Sequence, residues 1–273
     1  MFPLNDGDLK RQSFPYVNIL IILVCAAVFI YELTLTGLDR DLFFYQFGLI
    51  PAELIQGLDF TWLSSQGLLT AEQLSGENTA WLERSGYIAN IETPVPNWAT
   101  LFTSMFIHGD WMHFVANMLF LWVFGDNVED KFGHFRYLLF YLAAGVAASL
   151  IQVATDTSSQ IPTIGASGAI AGVLGAYLLL FPYSRIGTAV VFFFITYVKI
   201  PAIYLLGFWI LLQFISGIGT LGPSSQAGGV AYWAHIGGFV FGFAVVLVYK
   251  LLKGGPLWPG GPGGQGEAEY WHG

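Results

Sequence analysis

The sequence predicts an all-α, polytopic membrane protein with six transmembrane helices and a long first loop lying along the membrane surface. Three observations carry that expectation. Of 273 residues, 55% are hydrophobic and only 10% are charged, with a mean hydropathy of +0.62; a soluble domain is about 25% charged. Six apolar stretches approach the roughly 20 residues that a spanning helix needs. The basic residues also segregate to alternate connections, as membrane orientation requires.

The stretches are Val17–Leu35, Trp111–Val128, Phe135–Ala154, Gly165–Pro182, Ile200–Ile218 and Tyr232–Leu252. The first follows Lys10 and Arg11, is longer than the core of a secretory leader, and lacks a small-residue cleavage site, so it reads as a retained span. The second carries His113 and Asn117 near its start. The fifth carries Gln213 as its polar residue. Ile186–Val198 is apolar but only 13 residues long, too short to cross. It reads as an interfacial segment leading into the fifth span, with partial insertion as the alternative. Residues 1–16 then form an N-terminal segment, 17–253 the membrane domain and 254–273 a Gly/Pro-rich flexible tail.

With the N-terminus inside, eight of the ten basic residues fall on the cytoplasmic side: Lys10, Arg11, Lys131, Arg136, Arg185, Lys199, Lys250 and Lys253. Arg40 and Arg84 fall in the long outer loop of residues 36–100. Both termini are therefore expected in the cytoplasm, and the membrane to be a cell inner or plasma membrane. The loop has eight acidic residues and is rich in aromatics, among them Phe43, Phe44, Tyr45, Trp62, Trp81 and Trp98. Aromatic side chains favour the interface, so short amphipathic helices on the bilayer surface are expected. The acidic stretch Glu72–Glu92 and the tail carry no assignable role. A formal charge of −8 speaks against nucleic-acid partners. The single cysteine, Cys25, excludes an intramolecular disulfide and reads as a small apolar residue.

Polar side chains inside apolar spans are costly, and such groups are commonly functional. Ser167 sits in Gly165-Ala166-Ser167-Gly168, and His235 in Ala234-His235-Ile236-Gly237-Gly238. Spans two, four and six run in the same direction, and His113, Asn117, Ser167 and His235 each lie early in their span. All four are thus expected at one depth, below the outer surface. Gly165, Ala166, Gly168, Ala169, Ala171, Gly172, Gly175 and Ala176 in span four, and Ala234, Gly237, Gly238 and Gly242 in span six, supply the small-residue spacing that lets membrane helices approach closely, as a serine nucleophile and histidine base within about 2.6–3.2 Å of each other require. The alternative is that these residues only pack helices, with Ser167 bonded to a carbonyl one turn earlier. His113 and Asn117, four apart, share a helix face; they could hold an oxyanion or glue helices together. His108 reads as a brace of the loop before the span, His134 as interfacial and His272 as solvated. His108, His113 and His235 could offer three nitrogens to zinc, but no HExxH pattern and no carboxylate accompany His113 or His235. No metal and no cofactor are expected, and with no buried acid evident the pair reads as a Ser–His dyad.

The segments His108-Gly109-Asp110-Trp111-Met112-His113-Phe114-Val115-Ala116-Asn117-Met118, Gly165-Ala166-Ser167-Gly168 and Ala234-His235-Ile236-Gly237-Gly238 resemble, in that order, the motifs of the rhomboid intramembrane serine proteases. The resemblance covers roughly residues 98–252. It implies a six-helix core, Ser167 as nucleophile, His235 as general base and then acid, and His113, Asn117 and the Ser167 backbone N–H as oxyanion donors. It further implies single-span membrane proteins as substrates, cut in or near the span, within the lipid bilayer. Two other readings stay open: a catalytically silent rhomboid-like binder of membrane clients, and a small-solute transporter. The natural substrate and the oligomeric state are not encoded legibly.

Overall fold

The apolar stretches fold as helices because their interiors lack proline and their ends are marked by it or by glycine. Pro15 and Pro201 immediately precede the first and fifth, where a missing N–H costs nothing. Gly133, at φ +77°, makes the single-residue turn between the second and third. The computed structural model describes residues 2–6, 9, 11–56, 94–159, 161–191, 195–220 and 230–254. The expectations for Trp62, Trp81, Glu72–Glu92, His272 and the tail beyond residue 254 fall outside the described residues.

Six longer helices follow one another among the described residues. They are Tyr16–Thr34; residues 111–132, built from Trp111–Phe120, a π-helical turn Leu121–Gly125 and Asp126–Phe132; His134–Thr155; Ser167–Leu180; Ala202–Gly219; and Tyr232–Lys253. The first, third, fifth and sixth are long and apolar enough to cross a membrane. The fourth has 14 residues, about 21 Å at ~1.5 Å per residue, less than the ~30 Å hydrocarbon layer. Its expected start at Gly165 is therefore two residues early, and those two residues belong to the loop that leads down to it. In the long first loop, Leu38–Phe47 and Pro51–Gln56 are short helices.

The fourth helix is the axis of the fold. Every residue from Gly168 to Leu180 is buried. Its closest neighbour is the sixth helix, and glycine allows the approach. A Cβ at Gly238 would run into the Gly168 carbonyl oxygen, one at Gly242 into that of Gly172, and one at Gly175 into that of Phe239. The third helix closes the other side, with Ala144 and Ala148 against Gly172 and Gly168. The fifth helix is peripheral, burying only Ala202, Leu205, Leu206 and Gly217.

At the end of the bundle remote from Ser167, buried polar groups tie helix termini together. The Glu129 carboxylate accepts from the N–H groups of Val17 and Asn18 at 3.0 and 2.7 Å. It thereby caps a first helix that has no side-chain cap of its own. Asn18 donates to the Leu121 carbonyl in the π-helical turn at 3.0 Å and accepts from the Tyr137 hydroxyl at 2.8 Å. Lys250 donates to the carbonyl of Leu179 at the C-terminus of the fourth helix, 3.0 Å away, where a cation also suits the helix dipole. His134 lies at this end too, against Glu129 at 2.5 Å.

One element departs from expectation. Ile186–Val198, which leads into the fifth helix as expected, does so as most of a β-hairpin, so the fold is not all-α. β2 (Arg185–Val191) pairs antiparallel with β3 (Ile195–Pro201), and β1 (Phe2–Asn5) adds to the other edge of β2. Its β-branched and aromatic residues suit a strand, and the N-terminal segment supplies the partner that makes a three-stranded sheet. Within an otherwise helical, multi-pass fold this is the one β-sheet among the described residues.

The glycine seam yields a stability contrast. Gly242→Ala is expected to lower the thermal unfolding midpoint in detergent, because overpacking against a backbone oxygen costs about 1–3 kcal/mol. Gly207→Ala, with nothing within 4 Å of the added methyl, should leave the midpoint unchanged or raise it. Equal midpoints for the two variants would refute the seam.

Candidate active site

Ser167 is the first residue of its helix. The carbonyl four residues earlier, on Thr163, lies in the preceding loop and is taken by the Leu49 N–H at 3.0 Å. The helical ladder begins with Ile170 N–H to Ala166 O at 3.0 Å, and no side chain caps this end. The N–H groups of Ser167, Gly168 and Ala169 therefore precede the ladder, at the positive end of the helix dipole.

Gly165 brings His113 to this terminus. Its φ of +120° is open to glycine alone. A Cβ there would also lie 2.6 Å from His113 Nε2 and 3.7 Å from Ser167 Oγ. The imidazole and the hydroxyl thus flank one bare stretch of backbone. Gly165 is held by its N–H to the Ser104 carbonyl at 2.8 Å.

His235 arrives on the sixth helix. A Cβ on Gly168 would sit 3.8 Å from Ala234 Cβ, so the turn after Ser167 packs against the residue before His235. The Ala234 N–H is satisfied by Gln152 Oε1 of the third helix at 3.1 Å. His235 Nδ1 meets Gln213 Oε1 of the fifth helix at 2.8 Å, and the His235 ring lies 5.8 Å from that of Trp209. His113 and His235 are near enough to feel each other's charge. Ser167, His113 and His235 are all half-buried, whereas Asn117 is buried. Asn117 Nδ2 donates to the His113 carbonyl at 2.9 Å, which leaves one of its two amide hydrogens for another acceptor.

The segment before the second helix is clamped residue by residue. The His108 N–H donates to the Glu32 carboxylate, 3.1 Å to Oε1. Arg40 Nη2 donates to the Gly109 carbonyl at 2.5 Å. Asp110 caps the helix by accepting from the His113 N–H at 2.9 Å. The first loop is bound to the Ser167 side as well: Thr163 N–H returns to Leu49 O at 2.8 Å, and Ala52 N–H reaches Ser159 O at 3.0 Å. His108 is fully buried, stacked edge-on against His113 and Phe114 at 5.2 and 5.5 Å, which suits the bracing role expected of it. Burial first, and then the charge of His113, push its imidazole down to about 4, so His108 is neutral at pH 7.

The sequence reading did not assign Glu32, Gln213 or Gln152 a role. Each is a polar residue in an apolar stretch, the signal that drew attention to Ser167 and His235, but their partners lie 76, 22 and 82 residues away.

The model of the rhomboid domain matches residues 96–251, more than half of the chain. This chain belongs to the rhomboid family. Rhomboid protease GluP of Bacillus subtilis is 34% identical over 164 residues, covering 58% of this chain and 27% of that protein. Rhomboid protein 1, mitochondrial, of Saccharomyces cerevisiae is 30% identical over 143 residues, covering 51% and 38%. RHOMBOID-like protein 5 of Arabidopsis thaliana is 37% identical over 78 residues, covering 29% and 25%. The chain thus spans well under half the length of these curated relatives. The rhomboid domain and the four spanning-length helices make it an integral membrane protein.

Two measurements test the clamp. Glu32→Leu leaves the buried His108 N–H unpaired and is expected to cost about 1–3 kcal/mol, read as a lower unfolding midpoint, while Glu32→Gln retains an acceptor and most of the stability. Because His108 is held neutral, its contribution is complete above the ordinary histidine value of 6.5 and is lost as pH falls towards 4. His108→Phe should therefore flatten the fall of the midpoint across that window; an identical fall in wild type and variant would exclude the effect.

Proposed function

We propose that this chain is an intramembrane serine endopeptidase that cuts single-span membrane proteins in or near their transmembrane segment. Ser167 is the nucleophile, His235 the general base and then acid, and His113, Asn117 and the Ser167 N–H are the oxyanion donors. The observation that carries the reading is the uncapped N-terminus at Ser167, facing the His113 imidazole across Gly165 and flanked by the sixth helix that bears His235.

In the proposed reaction the Ser167 hydroxyl oxygen bonds to the scissile carbonyl carbon while its proton passes to His235. The negative oxygen of the tetrahedral species is met by the helix-terminal N–H groups and by the His113 and Asn117 side chains. Collapse breaks the C–N bond, and His235 returns the proton to the leaving amine. Water, deprotonated by His235, then releases the acyl group and restores Ser167. The half-buried setting of Ser167, His113 and His235 supports access of water to the site, and the short fourth helix supports a site below the membrane surface. The chemistry calls on no metal and no cofactor. The arrangement of basic residues supports a cytoplasmic placement of both termini, with the site opening to the opposite side of a cell inner or plasma membrane.

A fluorophosphonate probe in detergent is expected to label the wild type and not Ser167→Ala; equal labelling would overturn the nucleophile. His235→Ala should abolish cleavage of a model membrane substrate. Asn117→Ala should lower it by about 100-fold, the loss typical of one oxyanion donor, with the protein still folded.

A further inference from the structure

We propose that Gln213 is a positioning residue for His235, a third member that turns the Ser–His pair into a Ser–His–Gln relay spanning three helices. The proposal rests on the serine-protease reading and adds a residue to it. Its basis is the contact of 2.8 Å between Gln213 Oε1 and His235 Nδ1. With the carboxamide oxygen at Nδ1, that nitrogen carries the proton, and Nε2 keeps the lone pair a general base needs. An imidazole without such a partner divides between two tautomers and rotates about its side-chain bonds.

The fifth helix is arranged for this task. Trp209 and Gln213 are one turn apart, so they share a face. Trp209 packs its ring against the imidazole at 5.8 Å, and Gln213 bonds the ring edge. The remainder of that helix is largely apolar and weakly buried, which makes a half-buried glutamine there costly without a partner. Gln213 supplies in neutral form what a buried aspartate supplies elsewhere. A neutral acceptor orients the ring without fixing a charge in an apolar site. The titratable group near the imidazole is His113 on the second helix, with Asp110 and His108 next to His113. From the third helix comes Gln152, and from the fifth Trp209 and Gln213, none of which titrates.

The test uses the full-length protein in detergent and measures the rate of fluorophosphonate labelling and of substrate cleavage against pH. Gln213→Met keeps length and removes the acceptor. It is expected to slow both rates by about tenfold, the worth of one ordinary hydrogen bond, through kcat rather than KM, and to move the acid limb of the profile to lower pH. Gln213→Glu is expected to restore the rate and move the acid limb to higher pH, because a carboxylate favours the imidazolium. Opposite displacements of the acid limb support orientation and charge at Nδ1; a purely structural role would not produce them. Wild-type rates and an unmoved acid limb in Gln213→Met, or displacement of both variants in the same direction, would overturn the role of Gln213 while leaving Ser167-dependent labelling intact. Absence of Ser167-dependent labelling in the wild type would overturn the underlying reading and the role of Gln213 with it.

Discussion

Backbone contact between the Ser167–Leu180 and Tyr232–Lys253 helices is the constraint on which the rest of the molecule depends. In lipid, apolar side chains gain little by meeting one another, so association relies on close packing of small residues. Here Gly238 and Gly242 lie against the carbonyl oxygens of Gly168 and Gly172, four residues apart on both helices, and this match sets one register. Ser167 immediately precedes the first contact on one helix, and His235 lies three residues ahead of it on the other. The same glycines that make the helices adhere therefore fix the relative depth of hydroxyl and imidazole.

Three helix ends elsewhere in the bundle borrow side chains from neighbours. Glu129 of the second helix caps the first, Gln152 of the third serves the start of the sixth, and Lys250 of the sixth closes the end of the fourth. Each of these groups would be costly if left unpaired in a dry interior. The terminus at Ser167 is treated differently. It receives no side-chain cap, and instead a glycine at φ +120° clears space beside it for His113. The N–H groups of Ser167, Gly168 and Ala169 thus stand ahead of the helical ladder at a half-buried end, with the His113 imidazole alongside.

The first loop shares in this arrangement. Arg40 holds Gly109, and Leu49 and Ala52 hold the chain that leads to Ser167. The two strands of backbone that frame the site are thus fastened to the same neighbouring segment. Motion of that segment would be felt at His113 and at Gly165 together. Phe114 stacks on Phe29 and Trp111 meets it edge-on, so the start of the second helix is braced from the first helix as well, where Glu32 also holds His108.

Hydropathy period and length made the helices legible, and the small-residue spacing made their closest pair legible. That His113, Asn117, Ser167 and His235 each lie early in a helix could be read from the sequence alone. The β-hairpin was hidden because Ile186–Val198 is apolar in either conformation, and its choice depends on β1, more than 180 residues away. Gln213, Glu32 and Gln152 were visible as polar residues in apolar stretches, yet their roles depend on partners in other helices. By itself the sequence determined which segments are apolar and which polar residues they carry, since those follow from local composition. Only the tertiary structure decided which of those residues meet, because a hydrogen bond depends on distances of tenths of an ångström between helices, and close packing alone sets them.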